Sequence, residues 1–166
     1  MNTSLFKKIA LASLLACLCL TTQAALKTGD TFPSLATFGL DGKLPDDLKG
    51  KVVIVDFWAS WCGPCKQSFP AMNELQKKFG SSGLVIIAVN EDEDKADMQS
   101  FLKDNQATFM VVHDAQQKLV ATAGIQTMPS SFVIDGACKI CFVHNGFHGA
   151  ETRKEYEQQI TSLLKK

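Results

Sequence analysis

Two cysteines two residues apart, in Cys62-Gly63-Pro64-Cys65, are the side chains here whose type and spacing most plainly allow chemistry. The thiolate, not the thiol, is the nucleophile, so the pair matters only if its surroundings favour ionisation of one member. A helix start does this. Its first N–H groups lack partners within the helix and, with the helix dipole, favour negative charge just ahead of them. If a helix opens here, Cys62 is the ionised sulfur. Cys65, one turn on, lies within disulfide reach and can resolve a mixed disulfide. Pro64 suits the first helical turn, where its missing N–H costs nothing. Trp61 would serve either as a flat contact surface beside the nucleophile or as packing at the rim. Asp56 stands six residues before Cys62 in an apolar run. A carboxyl buried there is costly unless hydrogen-bonded or functional, and burial raises its pKa. It would then be able to exchange a proton with Cys65, through water. The competing assignments for the cysteine pair are a structural disulfide and half of a metal site.

The elements that must hold this pair follow from periodicity. Residues 51–57 (KVVIVDF) form a continuous apolar, β-branched run, which predicts a central strand buried on both faces. A helix is expected over 62–79, stopped by Gly80 and Gly83 and kinked at Pro70. Residues 84–89 predict a second buried strand, 94–105 a helix with Met98, Phe101 and Leu102 on one face, 109–112 a short strand and 115–123 a short helix ending at Gly124. A hairpin is expected from 131–134 and 140–143 around Asp135-Gly136, and an amphipathic helix over 151–166, with Tyr156, Ile160, Leu163 and Leu164 inward. Residues 26–50 carry turn signals and predict an irregular or hairpin-containing lead-in. The order β-α-β-α-β-α-β-β-α implies an α/β domain, a central mixed sheet flanked by helices.

The 166 residues are 46% apolar and 20% charged, with 17 basic and 17 acidic side chains. So apolar and neutral a chain disfavours disorder, and the lack of basic excess disfavours nucleic acid as a partner. Lys7 and Lys8 precede a charge-free apolar run over 9–20 and then Thr22-Gln23-Ala24, the layout of a secretory signal peptide. The run is too short to span a bilayer. Residues 1–24 are therefore expected to be removed, leaving 25–166 as one domain. Leu14-Leu15-Ala16-Cys17 also resembles a bacterial lipoprotein box, which would instead leave a lipid anchor at Cys17. Removal of the leader leaves 15 basic against 17 acidic residues, and four of the six cysteines. The destination would be the periplasm, where an unprotected cysteine pair is either structural or redox-active.

The second pair, Cys138 and Cys141, is followed by His144 and His148. A disulfide at the turn, separate thiols and a metal site are the options. The last is disfavoured because strand alternation would send Cys141 and His144 to opposite faces. The acidic run of Glu91, Asp92, Glu93, Asp94 and Asp97 is expected to be a solvated loop leading into a helix, with a docking patch as the alternative. His113 is expected to end a strand without a chemical role.

The stretch from Val55 to Lys66, VDFWASWCGPCK, resembles the active-site segment of thioredoxins. The wider chain, from about Leu26 to Leu164, resembles the secreted TlpA-like thiol:disulfide oxidoreductases of that superfamily. Leu48-Lys49-Gly50-Lys51, Phe69-Pro70 and Val89-Asn90-Glu91-Asp92 support this, as does the helix and strand between Asp94 and Val112. The resemblance implies a thioredoxin fold with an N-terminal extension and a helix–strand insertion. It also implies a dithiol at Cys62 and Cys65 assisted by Asp56, without metal or cofactor. Met128-Pro129 resembles the family's cis-proline loop, which would face the dithiol and pair with an extended cysteine-containing peptide, so that Trp61, Gly63, Pro64, Met128 and Pro129 form the substrate surface. Asp56 is the thioredoxin choice where TlpA-like proteins often carry Asn. Ser68 stands where several carry Glu, and Thr127 where Gly is common. The implied activity is reduction of disulfides in extracytoplasmic partner proteins by a monomer, resupplied by a membrane electron donor. A thioredoxin-fold copper chaperone, a disulfide oxidase and an isomerase are the alternatives.

Overall fold

In the computed structural model, residues 24–165 are described; the expected leader, with Lys7, Lys8 and Cys17, lies outside them apart from Ala24. Five strands form one sheet in the order β3-β2-β1-β4-β5. They are β1 (Val52–Trp58), β2 (Leu84–Asn90), β3 (Met110–His113), β4 (Ser130–Ile134) and β5 (Ile140–Asn145). The β1–β2 and β2–β3 pairs are parallel, whereas β1–β4 and β4–β5 are antiparallel. The helices are α1 (Gly63–Phe79), α2 (Lys95–Asp104), α3 (Lys118–Ala123) and α4 (Ala150–Leu164). The expected element order is observed, and no boundary shifts by more than three residues.

The strand β1 lies at the centre because every one of its residues is buried, as its unbroken apolar run requires. Its side chains alternate between two cores. Val53, Val55 and Phe57 pack with Phe32 and Leu35 of the N-terminal extension, Leu119 and Ala123 of α3, and Phe132 of β4. Val52 and Ile54 face the other way, toward Met72 and Leu75 of α1 and Tyr156, Ile160 and Leu163 of α4. Trp58, on that second face, begins a third cluster with Cys62, Cys65, Phe69 and Met98.

The lead-in differs from a hairpin. Thr31 bridges to Lys139 beside β5, and Asp41 bridges to His113 of β3, so the extension crosses the sheet from one edge to the other. Its apolar residues are buried by lying on the sheet, and its backbone groups pair with the edges they pass. The amides of Gly29 and Phe32 donate to the carbonyls of Ile140 and Cys138, and Leu26 donates to Ala123. The α1 helix runs on past Pro70 to Phe79, and Gly83 (φ 111°) then turns the chain into β2.

Phe132 joins the extension to the sheet, its ring meeting Phe32 at 5.3 Å and Phe57 at 6.0 Å. Phe132→Ala is expected to cost about 3–5 kcal/mol, whereas Trp61→Ala, at a position 73% exposed, should fall within about 0.5 kcal/mol of the parent. Denaturant unfolding of both variants checks the contrast.

Candidate active site

The strand β1 delivers the chain to a four-residue loop and then into α1. Cys62 is the N-cap of that helix, in extended conformation (φ −84°, ψ 103°), and its sulfur accepts the amide hydrogen of Cys65 at 3.2 Å. Pro64 lies in the first turn, as expected. The two sulfurs are joined, S–S 2.02 Å with Cα atoms 5.2 Å apart. Cys62 keeps 5% of its surface and Cys65 none, so Cys65 is closed to an incoming thiolate. Met128 packs against the same cluster.

Of the expected surface residues, Trp61, Gly63 and Pro64 adjoin Cys62 in the chain, and Met128 packs against the cluster that holds it. Trp61 stands in solvent, and a Cβ placed on Gly63 would meet nothing within 4 Å. The Met128–Pro129 bond is cis, and Met128 reaches the dithiol cluster. Ser130, which follows, has its hydroxyl tied to the carbonyl of Thr127 at 2.7 Å. Ser68 is buried, and its hydroxyl donates to the carbonyl of Cys65.

Asp56 is 1% exposed, and neither carboxylate oxygen has a hydrogen-bond partner. Burial alone pushes its carboxyl up to about 8, so it carries its proton at neutral pH. It falls on the same face of β1 as Trp58, between the cluster that holds Cys65 and the one that holds Tyr156. Trp58 is wholly buried, with its ring against Phe69 and Phe101 (each 4.8 Å) and its indole N–H unpartnered.

The acidic run departs from expectation at its start. Glu91 and Asp92 are buried rather than solvated. Asp92 accepts the amide and hydroxyl hydrogens of Ser60 at 3.0 and 2.9 Å, and the side-chain amide of Asn90 at 2.8 Å. It thereby clamps the loop that carries Cys62 to the end of β2. His113, expected to be idle, places Nε2 2.7 Å from the carbonyl of Asp92. Glu91 is 4% exposed with both oxygens unpartnered. Burial first, then the charges of Asp114 and Asp92, raise its carboxyl to about 9. Asp94 does cap α2, accepting from the amide of Ala96. The signal that could have exposed the clamp was polarity at Asn90 and Asp92 directly after an unbroken apolar strand.

The second cysteine pair is not joined. Cys138 is an exposed thiol in the turn, at φ 62°, and lines a cavity of about 700 Å³ with Phe32, Val53 and Val55. Cys141 lies against the opposite core, where its thiol donates to the carbonyl of Lys139 at 3.6 Å. The register shifts between Val133 and Ile134, which pair with Phe142 and Ile140 and leave Cys141 as the extra residue of a bulge. That bulge breaks the strict alternation assumed from the sequence. His144 consequently lies on the α4 side too, its ring 4.4 Å from that of Tyr156. Among the described residues, no group of three or more His, Cys, Asp or Glu is arranged to hold a metal ion, and no helix is long and apolar enough to cross a membrane.

Comparison with known proteins gives the same outline. The Redoxin family model matches residues 27–160. The chain is 34% identical over 143 residues to the thiol-disulfide oxidoreductase ResA of Bacillus thuringiensis, covering 85% of this chain and 83% of that one. It is similar to the structure of a putative thiol:disulfide interchange protein DsbE from Chlorobium tepidum, at TM-score 0.77 and 40% identity over 84% of this chain and 99% of that one. StoA from Bacillus subtilis matches at TM-score 0.58 and 30% identity, over 66% and 84% of the two chains. The mixed five-stranded sheet flanked by helices is that of the thioredoxin fold.

The unpartnered carboxyl of Asp56 has a thermodynamic signature. The folded chain keeps this proton up to about pH 8, whereas the unfolded carboxyl releases it near 3.8. Between those values the folded state binds the extra proton, so stability falls as pH rises, by at most about 1.4 kcal/mol per pH unit. Asp56→Asn is therefore expected to be more stable than the parent by about 2–4 kcal/mol at pH 7, with the difference vanishing toward pH 4. Guanidinium unfolding of the oxidised forms at both pH values measures it; equal stabilities at pH 7 would show that the carboxyl is not held neutral.

Proposed function

The chain belongs to the Redoxin family of the thioredoxin superfamily and is a thiol-disulfide oxidoreductase of the ResA/DsbE type, and from that premise we propose that it reduces disulfides of partner proteins outside the cytoplasm. The observation that carries this is the Cys62–Cys65 disulfide at the head of α1, with the Cys62 sulfur accepting the Cys65 amide and Cys65 wholly buried while Cys62 keeps 5% of its surface.

The cycle starts from the reduced pair. The helix N-terminus stabilises the Cys62 thiolate, which attacks one sulfur of the partner's disulfide. A mixed disulfide forms and the partner's other sulfur leaves as a thiolate, protonated by solvent. Ionised Asp56 then takes the proton of the Cys65 thiol, through water, and the Cys65 thiolate attacks the Cys62 sulfur. The partner's second sulfur departs, and two electrons have passed from the dithiol to the partner. Asp56, now neutral, loses its proton to solvent before the next turn, and a carboxyl with a pKa of about 8 can do both near neutral pH. Trp61, Gly63, Pro64, Met128 and Pro129 form the surface on which an extended, cysteine-containing segment lies. The protein acts as a monomer in the periplasm once its first 24 residues are removed, or from a lipid anchor at Cys17, and a membrane electron donor reduces the Cys62–Cys65 bond again.

Cys62→Ser is expected to abolish insulin-disulfide reduction while the fold survives, and retained activity would refute the assignment. Cys65→Ser should instead stall on its natural partner as a mixed disulfide recoverable under non-reducing conditions. The direction rests on the reduction potential: a reductant should poise near the roughly −270 mV of thioredoxin, and a value near the roughly −120 mV of a strong oxidant would reverse it.

A further inference from the structure

The buried carboxyl of Asp56 has no partner of its own, yet two hydroxyls stand next to it. Register places Asp56 of β1 directly opposite Ser131 of β4, and Ser131 opposite His144 of β5. Residues so paired carry Cβ atoms about 4.5–5.5 Å apart on the same face. Tyr156 of α4 reaches down to this row, and its hydroxyl lies 2.5 Å from that of Ser131. All three are almost fully buried. Burial, and then the charge of Asp56, raise the phenol well above the usual tyrosine range, so Tyr156 keeps its hydrogen throughout the cycle.

Building on the proton exchange assigned above to Asp56, we propose that the Ser131–Tyr156 hydroxyl pair is the positioning device for the Asp56 carboxylate and sets the pH at which Cys65 can be deprotonated. A hydroxyl donates one hydrogen and accepts on its lone pairs. While Asp56 is neutral, the pair satisfies itself. Neither Asp56 oxygen is hydrogen-bonded to Ser131 in this structure, so on ionisation the side chains of this facing pair must first turn toward each other; Tyr156 then donates to Ser131, and Ser131 donates to the carboxylate. Such a chain strengthens each bond in it, more so where little water reaches. No proton leaves either hydroxyl. The proton taken from Cys65 ends on Asp56, and the pair only makes the ionised form of Asp56 less costly.

The other groups around Asp56 do not replace this contact. Ala88 is its neighbour on β2, and Cys65 and Phe69 of α1 share the cluster above it. His144 stacks on Tyr156, but its ring nitrogens are turned outward, Nε2 to Gln159 at 2.8 Å and Nδ1 to the carboxylate of Glu155 at 3.5 Å. Glu155 itself stands half-exposed, and its charge adds slightly to the upward push on Tyr156.

The test follows two thiolate releases from a chromogenic aryl disulfide added to the reduced full-length protein in which Cys17, Cys19, Cys138 and Cys141 are all replaced by Ser, so that only the Cys62–Cys65 pair reacts. The first release reports attack by Cys62, the second resolution by Cys65. In the parent, the rate of the second should rise through a limb near pH 8. Tyr156→Phe should move that limb up by about one pH unit, because the ionised carboxylate loses a supported donor. The first release should not move. Ser131→Ala should shift the limb the same way, which keeps the test open if one variant folds poorly; the limb position does not depend on the fraction folded. His144→Gln should leave it in place. A limb unmoved in Tyr156→Phe and Ser131→Ala, or one that moves with His144→Gln, overturns the proposal. In an Asp56→Asn background the limb should be absent and Tyr156→Phe without effect. If Asp56→Asn leaves the second release untouched, the role of Asp56 itself fails. If it removes the limb while the hydroxyl variants do nothing, only the role of the pair fails.

Discussion

The amide hydrogen of Cys65 points at the sulfur of Cys62 across 3.2 Å, and most of the molecule keeps these two groups there. The contact needs a helix that starts immediately after a buried strand, because only then do unpaired N–H groups face a sulfur the strand has delivered. It also needs the joining loop to stay still. Asp92 supplies that by holding both the amide and the hydroxyl of Ser60 from the end of β2, two residues ahead of Cys62. Beneath, Trp58, Phe69 and Phe101 pack edge to face and tilted, a rigid apolar floor under the first turns of α1. Met128 packs against the same cluster.

This floor explains the unusual cost the fold accepts at Asp56. Apolar packing that excludes water from the Cys65 side of the disulfide excludes it from the carboxyl too, and with no cation nearby the group stays protonated. Glu91 repeats the situation at the end of the neighbouring strand, with two nearby negative charges in place of a cysteine pair. Two buried, proton-bearing acids thus lie toward the carboxyl ends of adjacent parallel strands, Asp56 within β1 and Glu91 just past β2. A native domain retains so few groups of this kind that their coincidence with the site is itself informative.

Much of this was legible in the chain. The cysteine spacing, the strand before it and the glycine and proline around it are local signals, and local signals suffice for a helix N-cap. The order of strands and helices followed from periodicity for the same reason. What escaped was set by pairing between distant segments. Nothing in Glu91-Asp92-Glu93-Asp94 distinguishes the two buried acids from the two outward ones, since the division depends on Ser60 thirty-two residues away. The bulge at Cys141 depends on where β5 meets β4, and a single extra residue put Cys141 and His144 on the same face, which simple alternation would have kept apart. Tyr156 was correctly expected to face inward, but that its hydroxyl would find Ser131 is a matter of how α4 lies over the sheet.

Between Asn90 and His113 the chain leaves the sheet, forms α2 and returns as β3. The neck of this excursion is stitched: the amide of Asp114 donates to the carbonyl of Asn90, and His113 meets the carbonyl of Asp92. Such a closed neck makes the excursion a replaceable module. Its length and outer surface can drift through evolution, or be exchanged by design, while the loop bearing Cys62 stays anchored from the sheet side of the stitch. Any substitute must keep the carboxylate of Asp92 on Ser60 and bring apolar groups to stand where Met98 and Phe101 now stand against the dithiol cluster and Trp58.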